Sequence, residues 1–229
     1  QQTAPGDPVY AQLHELILAT SDINQLILLT DLLREIATPD ALQILLDFSS
    51  RLDKGNGIAP DVHHAIASIG ENMWDDRFHP ELSPLLENEW RQLANTDHAR
   101  MIARAIASVG APEGVNLLLQ EIQNAPNSSS SQIAKAVLPE IRNPAAIPVL
   151  ENYFALNDPH QAAFLASSQA LASMGNGQAT QVLLQWASSA DDAAVPLAQS
   201  WFNEMRDPDS LLIAKEFIDQ GLIINQSMK

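Results

Sequence analysis

A six-residue phrase occurs three times in this chain and constrains its fold more than any other feature. It reads Ala-Ile-Ala-Ser-Ile-Gly at residues 65–70, Ala-Ile-Ala-Ser-Val-Gly at 105–110 and Ala-Leu-Ala-Ser-Met-Gly at 170–175. Its small alanines, Ala105 and Ala170 among them, predict close contacts between helices, and its final glycine suits a left-handed helix C-cap. Self-similarity of this kind is typical of stacked repeats, in which each unit buries its apolar face against its neighbours.

A second segment recurs after the first and confirms the period. Each copy begins with a turn or capping residue, usually followed by a proline at the first helical position, where the missing N–H costs nothing. Successive copies are spaced by 31 to 41 residues, measured at Pro39, Pro80, Pro112, Pro144, Gly177 and Pro208. That period accommodates one pair of antiparallel helices in each repeat.

The combined pattern A-[IL]-A-S-x-G-x-x-x-[GA]-[VT]-x-x-L-L resembles the HEAT-like repeats of the phycobilisome-lyase type, within the armadillo-like class, over residues 24–219. The resemblance implies an all-α fold: a right-handed α-solenoid of about six antiparallel helix pairs. Because the repeats run without a linker, we also expect a single domain over residues 1–229. Residues 1–8 would form a flexible N-terminus, 9–37 the capping helices, 38–219 the repeats and 220–229 the C-terminal tail. Proteins with such repeats act as scaffolds and adaptors and, less often, as enzymes.

Charge limits the class of partner. The chain has 12 Lys and Arg residues against 28 Asp and Glu residues, a net charge of −16, and its arginines are scattered singly. Nucleic acid would be repelled by such a surface, so we expect none as a partner. The acidity predicts either a solvated surface that keeps the protein monodisperse or an acidic groove for a basic partner. Because no apolar run approaches the roughly 18 residues of a membrane span, we also expect a soluble chain without membrane insertion.

The residue that follows two apolar residues in each repeat, paired leucines in four of the six copies, is polar in every copy. In HEAT-like stacks the second helices usually line the concave face, so these residues would form an exposed row, here called the polar ladder: Asp47, Glu87, Gln120, Glu151, Gln185 and Lys215. Such a row suits either a partner surface or an ordinary solvated helix face. The candidate partner-binding residues are Asp47, Glu87, Glu89, Trp90, Gln120, Glu121, Glu151, Gln185 and Trp186. Trp90 and Trp186 would serve as aromatic anchors if they do not belong to the core.

The histidines are the candidates for chemistry. His63 and His64 are adjacent, and Asp97 and His98 follow one repeat later. Neighbouring residues on a helix point about 100° apart, so His63 and His64 cannot share a metal ion without a third residue. Deoxyhypusine hydroxylase, a helical-repeat enzyme, holds two irons with repeated His-Glu dipeptides, whereas this chain has one, His14-Glu15.

The sequence therefore predicts a non-enzymatic scaffold or adaptor that binds another protein, without a metal, cofactor or catalytic residue. The alternative is a metal-dependent hydroxylase-like or bilin-lyase-like enzyme built on the same repeats. The absence of cysteine excludes a thiol nucleophile, a disulfide and a cysteine metal site. We expect the serine run at 128–131 to be a flexible polar loop. A start at Gln1 without Met suits either a mature end left by signal removal or a trimmed chain, so both the bacterial periplasm and the cytoplasm remain open.

Overall fold

A computed structural model describes residues 6–52, 56–71, 81–93, 98–156, 161–189, 197, 200–201, 205 and 207–219 of the chain. Every regular element within these residues is helical, which confirms the predicted all-α class. Contacts divide the chain into two compact units, Gln1–Val109 and Gly110–Lys229. Among the described helices, none combines the length and the apolar composition needed to cross a lipid bilayer.

The first unit contains six described helices. They are α1 (Pro8–Ala19), α2 (Ile23–Ile36), α3 (Pro39–Arg51), α4 (Ala59–Ala67), α5 (Leu82–Leu93) and α6 (Ala99–Val109). Helices that alternate in the chain contact each other, so that α2, α4 and α6 form one series and α1, α3 and α5 a second. Contacts of α2 with α3, α3 with α4, and α5 with α6 join the two series.

The second unit contains α7 (Pro112–Asn124), α8 (Ser129–Val137), α9 (Ile147–Leu156), α10 (Ala162–Ser173), α11 (Gly177–Ser189) and α12 (Pro208–Asp219), with short 3-10 segments at Leu138–Glu140 and Pro144–Ala146. Here α7 contacts α9, α9 contacts α11 and α11 contacts α12, while α10 packs against α7, α9 and α11. The prediction of a flexible loop at residues 128–131 is wrong. Ser128 caps α8, because its hydroxyl oxygen accepts a hydrogen bond from the backbone N–H of Ser131 at 3.0 Å.

The six copies of the second segment bury the same positions. The residue just before each polar-ladder position is at most 9% exposed: Leu46, Leu86, Leu119, Leu150, Leu184 and Ala214. The residue five before it is at most 1% exposed: Leu42, Leu82, Val115, Ala146, Thr180 and Ser210. Positions four residues apart lie on one face of a helix. Every copy therefore turns an equivalent face into the core.

One hydrogen bond joins two of these equivalent positions directly. The hydroxyl of Thr180 in α11 donates to the hydroxyl oxygen of Ser210 in α12 at 2.6 Å, and both side chains are buried. The four earlier copies carry leucine, valine or alanine at this position. Equivalent positions of two consecutive copies thus meet across the contact between α11 and α12.

The glycines of the repeated phrase have two different roles. Gly110 and Gly175 both adopt φ of 63°, the left-handed conformation predicted for a helix C-cap. Gly70 does not, so the C-cap prediction is wrong there. A Cβ atom on Gly70 would overlap the backbone of Ser108 and Val109, and the Gly70 N–H donates to the hydroxyl oxygen of Ser108 at 3.1 Å. Close backbone approach, rather than a positive φ, requires glycine at this position.

The alanines from which close helix contacts are predicted lie in the core. Ala105 in α6 and Ala170 in α10 are fully buried, and both belong to the repeated phrase. Small side chains at these positions let neighbouring helix backbones approach closely, as the position of Gly70 also requires.

Replacing Gly70 with alanine places a methyl group against backbone atoms that cannot move aside independently. We expect Gly70→Ala to lower the free energy of unfolding by about 3 kcal/mol, at the upper end of the usual cost of overpacking. Urea denaturation followed by circular dichroism measures the change. Gly57→Ala is the matched control, because a Cβ atom there meets nothing within 4 Å. Equal effects of the two changes would contradict the close approach at Gly70.

Removing the Thr180 hydroxyl tests the contact between consecutive copies. Thr180→Val keeps the shape of the side chain but leaves the buried Ser210 oxygen without this donor, so we expect a loss of about 1–2 kcal/mol in the free energy of unfolding. Thr30→Val is the control, because Thr30 is equally buried but donates only to the Leu26 carbonyl of its own helix. A loss for Thr30→Val as large as that for Thr180→Val would contradict a specific role for the hydrogen bond.

Candidate functional site

A groove of about 420 Å³ lies between α1 and α3 in the first unit. It contains Asp47, the first member of the polar ladder. Its wall is formed by Tyr10, Ala11 and His14 from α1 and by Asp40, Gln43, Ile44, Asp47 and Arg51 from α3. Most of these side chains are polar or charged, so the α1–α3 groove offers both a cavity and hydrogen-bonding groups.

The start of α1 is held against the start of α3 by polar contacts. Asp7 caps α1 by accepting from the Val9 N–H at 3.0 Å, and Thr38 caps α3. The Thr38 hydroxyl also donates to the buried Tyr10 oxygen at 3.0 Å, while the Gly6 N–H donates to the Asp40 carboxylate at 3.1 Å. Capping residues thus fix one end of the α1–α3 groove.

Asp47 is the electrostatic centre of this groove. Its Oδ2 atom lies 2.7 Å from His14 Nε2 and 2.8 Å from an Arg51 guanidinium nitrogen one helical turn away. Partial burial would by itself raise the pKa of Asp47, but the hydrogen bond from His14 and the charge of Arg51 outweigh that effect and hold the pKa below its ordinary value. Asp47 is therefore a carboxylate whose charge is partly balanced within the first unit.

An equivalent ion pair, between an acidic residue and an arginine four positions later, lies on α5, forty residues further along the chain. Glu87 accepts from Arg91 at 3.1 Å and from the Ser83 hydroxyl at 3.1 Å. The glutamate side chain is 16% exposed, and α5 contacts α3. The repeat therefore extends beyond the apolar core to an ion pair at the polar-ladder position. Glu89, on the same helix, is half-buried.

The polar ladder is more open in the second unit. Gln120, Glu151 and Gln185 are exposed on α7, α9 and α11, of which α9 contacts the other two. Glu121 differs from them: it is half-buried, and its carboxylate accepts from the hydroxyls of Ser128, at 3.1 Å, and Ser130. Glu121 therefore supports the start of α8, while the three exposed residues remain available to a partner.

The two tryptophans proposed as anchors occupy different surroundings. Trp90 is only 2% exposed, so the structure removes it from the candidate partner-binding residues and places it in the core. Trp186 is half-buried in an aromatic cluster with Phe154, Phe164 and Trp201, where its ring centroid lies 5.3–5.4 Å from the other three. Its main contacts are thus internal to the second unit.

The structure brings together His63 and His98 rather than His63 and His64. The ring centroids of His63 on α4 and His98 before α6 are 5.2 Å apart, with the rings 78° from parallel. Burial, and secondarily the nearby His98, lower the pKa of His63 and favour its neutral imidazole. The two histidines are 35 residues apart, which is within the range of the repeat period, and this spacing was the sequence signal that could have indicated their contact.

In the part of the chain that the structure describes, no group of three or more His, Asp and Glu residues converges as a metal site. Asp75, Asp76, His79 and Asp97 lie outside the described residues.

No protein-family model matches this chain, and no curated protein matches it in a sequence search.

The contacts of Asp47 predict a pH-dependent contribution to stability. Because the folded-state pKa of Asp47 is lowered, its carboxylate stabilises the fold above the unfolded value of about 3.9, and this contribution is lost as the pH falls through the folded-state pKa. We expect Asp47→Asn to lower the free energy of unfolding by up to about 1 kcal/mol at pH 6, the scale of a partly exposed ion pair. Urea denaturation at decreasing pH should show the difference shrinking below about pH 3.9.

The control for this measurement is a variant in which Asp47 has lost both of its partners, His14 and Arg51. In a His14→Gln, Arg51→Gln protein, Asp47→Asn should change stability much less, because the hydrogen bonds that lower the pKa are gone. An equal loss in both backgrounds, unchanged by pH, would contradict the account of Asp47.

Proposed function

We propose that this protein is a non-enzymatic scaffold or adaptor, a right-handed α-solenoid of HEAT-like repeats that binds another protein along the polar ladder. The observation that carries the proposal is the pattern of burial along the six copies. Positions one and five residues before the ladder are buried in every copy, whereas the ladder residue itself reaches solvent in every copy, half-buried at Asp47 and Glu87 and exposed at the other four. Accessible side chains that recur at equivalent positions of packed helices suit the binding of a partner protein.

The helix contacts within each unit support the stacked-repeat part of the proposal. Alternate helices pack against each other, as expected when successive helix pairs stack. Two hydrogen bonds join consecutive copies of the repeated segments: Gly70 N–H to Ser108, and Thr180 to Ser210. Each is a contact between one copy and the next, which is the only kind of contact a solenoid repeat requires.

Charge indicates the chemistry of the partner. The net charge of −16 gives the protein a negative field, and the side chains of Gln120, Glu151 and Gln185 are exposed to it. A basic protein surface would be attracted over distances comparable to the Debye length, about 8 Å at physiological ionic strength. We therefore expect association to be faster at low salt and to lose this advantage as salt increases.

A triple variant tests whether the ladder is the binding face. Gln120→Lys, Glu151→Lys and Gln185→Lys together raise the net charge from −16 to −12, since each glutamine change adds one charge and the glutamate reversal adds two. All three residues are exposed, so each change should alter stability by no more than about 0.5 kcal/mol. We expect partner recovery to fall and association at low salt to slow roughly tenfold. Affinity capture from the native organism with quantitative mass spectrometry identifies the partner, and surface plasmon resonance then measures its association rate.

The control variant has the same net charge but leaves the ladder intact. Glu15→Lys and Asp31→Lys reverse two exposed residues, on α1 and α2, and also raise the net charge to −12. Partner capture should be retained by this variant and lost by the ladder variant. Equal losses would show that only the total charge matters, and the ladder would then be an ordinary solvated face.

A further inference from the structure

The geometry points to a two-histidine binding site for a divalent transition-metal ion, formed by His63 on α4 and His98 at the start of α6. This site lies outside the polar ladder and the α1–α3 groove, and it does not depend on the proposed partner. Both residues belong to the first unit, and both side chains are half-buried.

The spacing of the two rings suits a shared ion. A zinc ion binds imidazole nitrogen at about 2.0–2.1 Å and prefers tetrahedral angles, which puts the centroids of two coordinated imidazole rings about 5 Å apart. The centroids of His63 and His98 are 5.2 Å apart. The rings are nearly perpendicular, at 78°, so they do not stack on each other.

The ring nitrogens are available to bind an ion. In the described residues neither His63 nor His98 forms a hydrogen bond through its ring. Neutral imidazole is a ligand that suits Zn²⁺, Cu²⁺ and Ni²⁺. An ion between the rings would satisfy one nitrogen of each, and water would complete its coordination.

The backbone fixes both histidines on packed helices. His63 lies in the middle of α4, and the His98 carbonyl accepts the first hydrogen bond of α6, from Ile102 N–H at 3.2 Å. Because α4 contacts α6, an ion held by both residues would cross-link two consecutive helices of the same series. Two protein ligands give an exchangeable site rather than a permanently occupied one, so the ion should be removable by a chelator.

The test uses the full chain, stripped of metal by chelation and titrated with ZnCl₂ in a calorimeter. We expect one zinc ion per chain in the wild type and at least a tenfold loss of affinity in both His63→Ala and His98→Ala. His64→Ala and His14→Ala are the controls and should bind zinc as the wild type does, since His64 is exposed beside the site and His14 is paired with Asp47. Far-ultraviolet circular dichroism verifies that each variant is folded, and His63→Gln replaces His63→Ala if the alanine variant is not.

A spectroscopic measurement identifies the side chains that bind the metal ion. With Cu²⁺ as the probe, electron paramagnetic resonance should show two coordinating imidazole nitrogens in the wild type and one fewer in either site variant. The proposal is overturned if the wild type binds no zinc, if the His63 and His98 variants bind it as tightly as the wild type, or if the copper spectrum is unchanged by both substitutions.

Discussion

The structure depends on the burial of two positions, four residues apart, in each of the six copies of the second segment. This spacing places both side chains on one face of a helix, and the apolar area removed from water there contributes about 25 cal/mol for each Å². Every copy meets this requirement, from Leu42 and Leu46 in α3 to Ser210 and Ala214 in α12. The polar-ladder residue follows one position later, about 100° around the helix, and therefore points away from that face. Accessibility of the ladder is a direct consequence of core packing.

Local signals in the sequence were sufficient for the helical class and for several helix ends. The all-α class follows from apolar spacing at the helical period, and the capping positions of Thr38, Asn143, Asn176 and Asp207 follow from residues whose side chains accept from the next turn of backbone. The left-handed ends at Gly110 and Gly175 belong to the same class of short-range signal. Ala37 adopts this conformation, with φ of 52°, although it lacks the usual glycine. Packing after α2 therefore overrides the local preference at that residue.

Apart from the loop predicted at residues 128–131, where Ser128 instead caps α8, the errors concern distances between residues far apart in the chain. Gly70 is glycine because Ser108 and Val109 approach it, and no pattern within one helix records that approach. Trp90 is next to polar residues in the sequence but is buried in the structure, so its position along the chain was a poor guide to exposure. His63 pairs with His98 through the contact of α4 with α6. The repeat period indicates that His63 and His98 occupy similar places in successive repeats. Their distance, however, depends on how the helices pack, which the sequence does not give.

The hydroxyl pair at Thr180 and Ser210 has a consequence for how repeats find their proper neighbours during folding. Copies that bury similar leucines can pack against the wrong copy at little cost, and misassembly is a characteristic failure of repeat proteins. A hydroxyl facing leucine in such an arrangement would be buried without a partner, at a cost of about 1–3 kcal/mol. Within the described copies, only α11 and α12 carry hydroxyls at this position. The hydroxyl pair therefore makes the contact between α11 and α12 more specific than apolar contacts alone would. It disfavours an exchange of α12 with another copy.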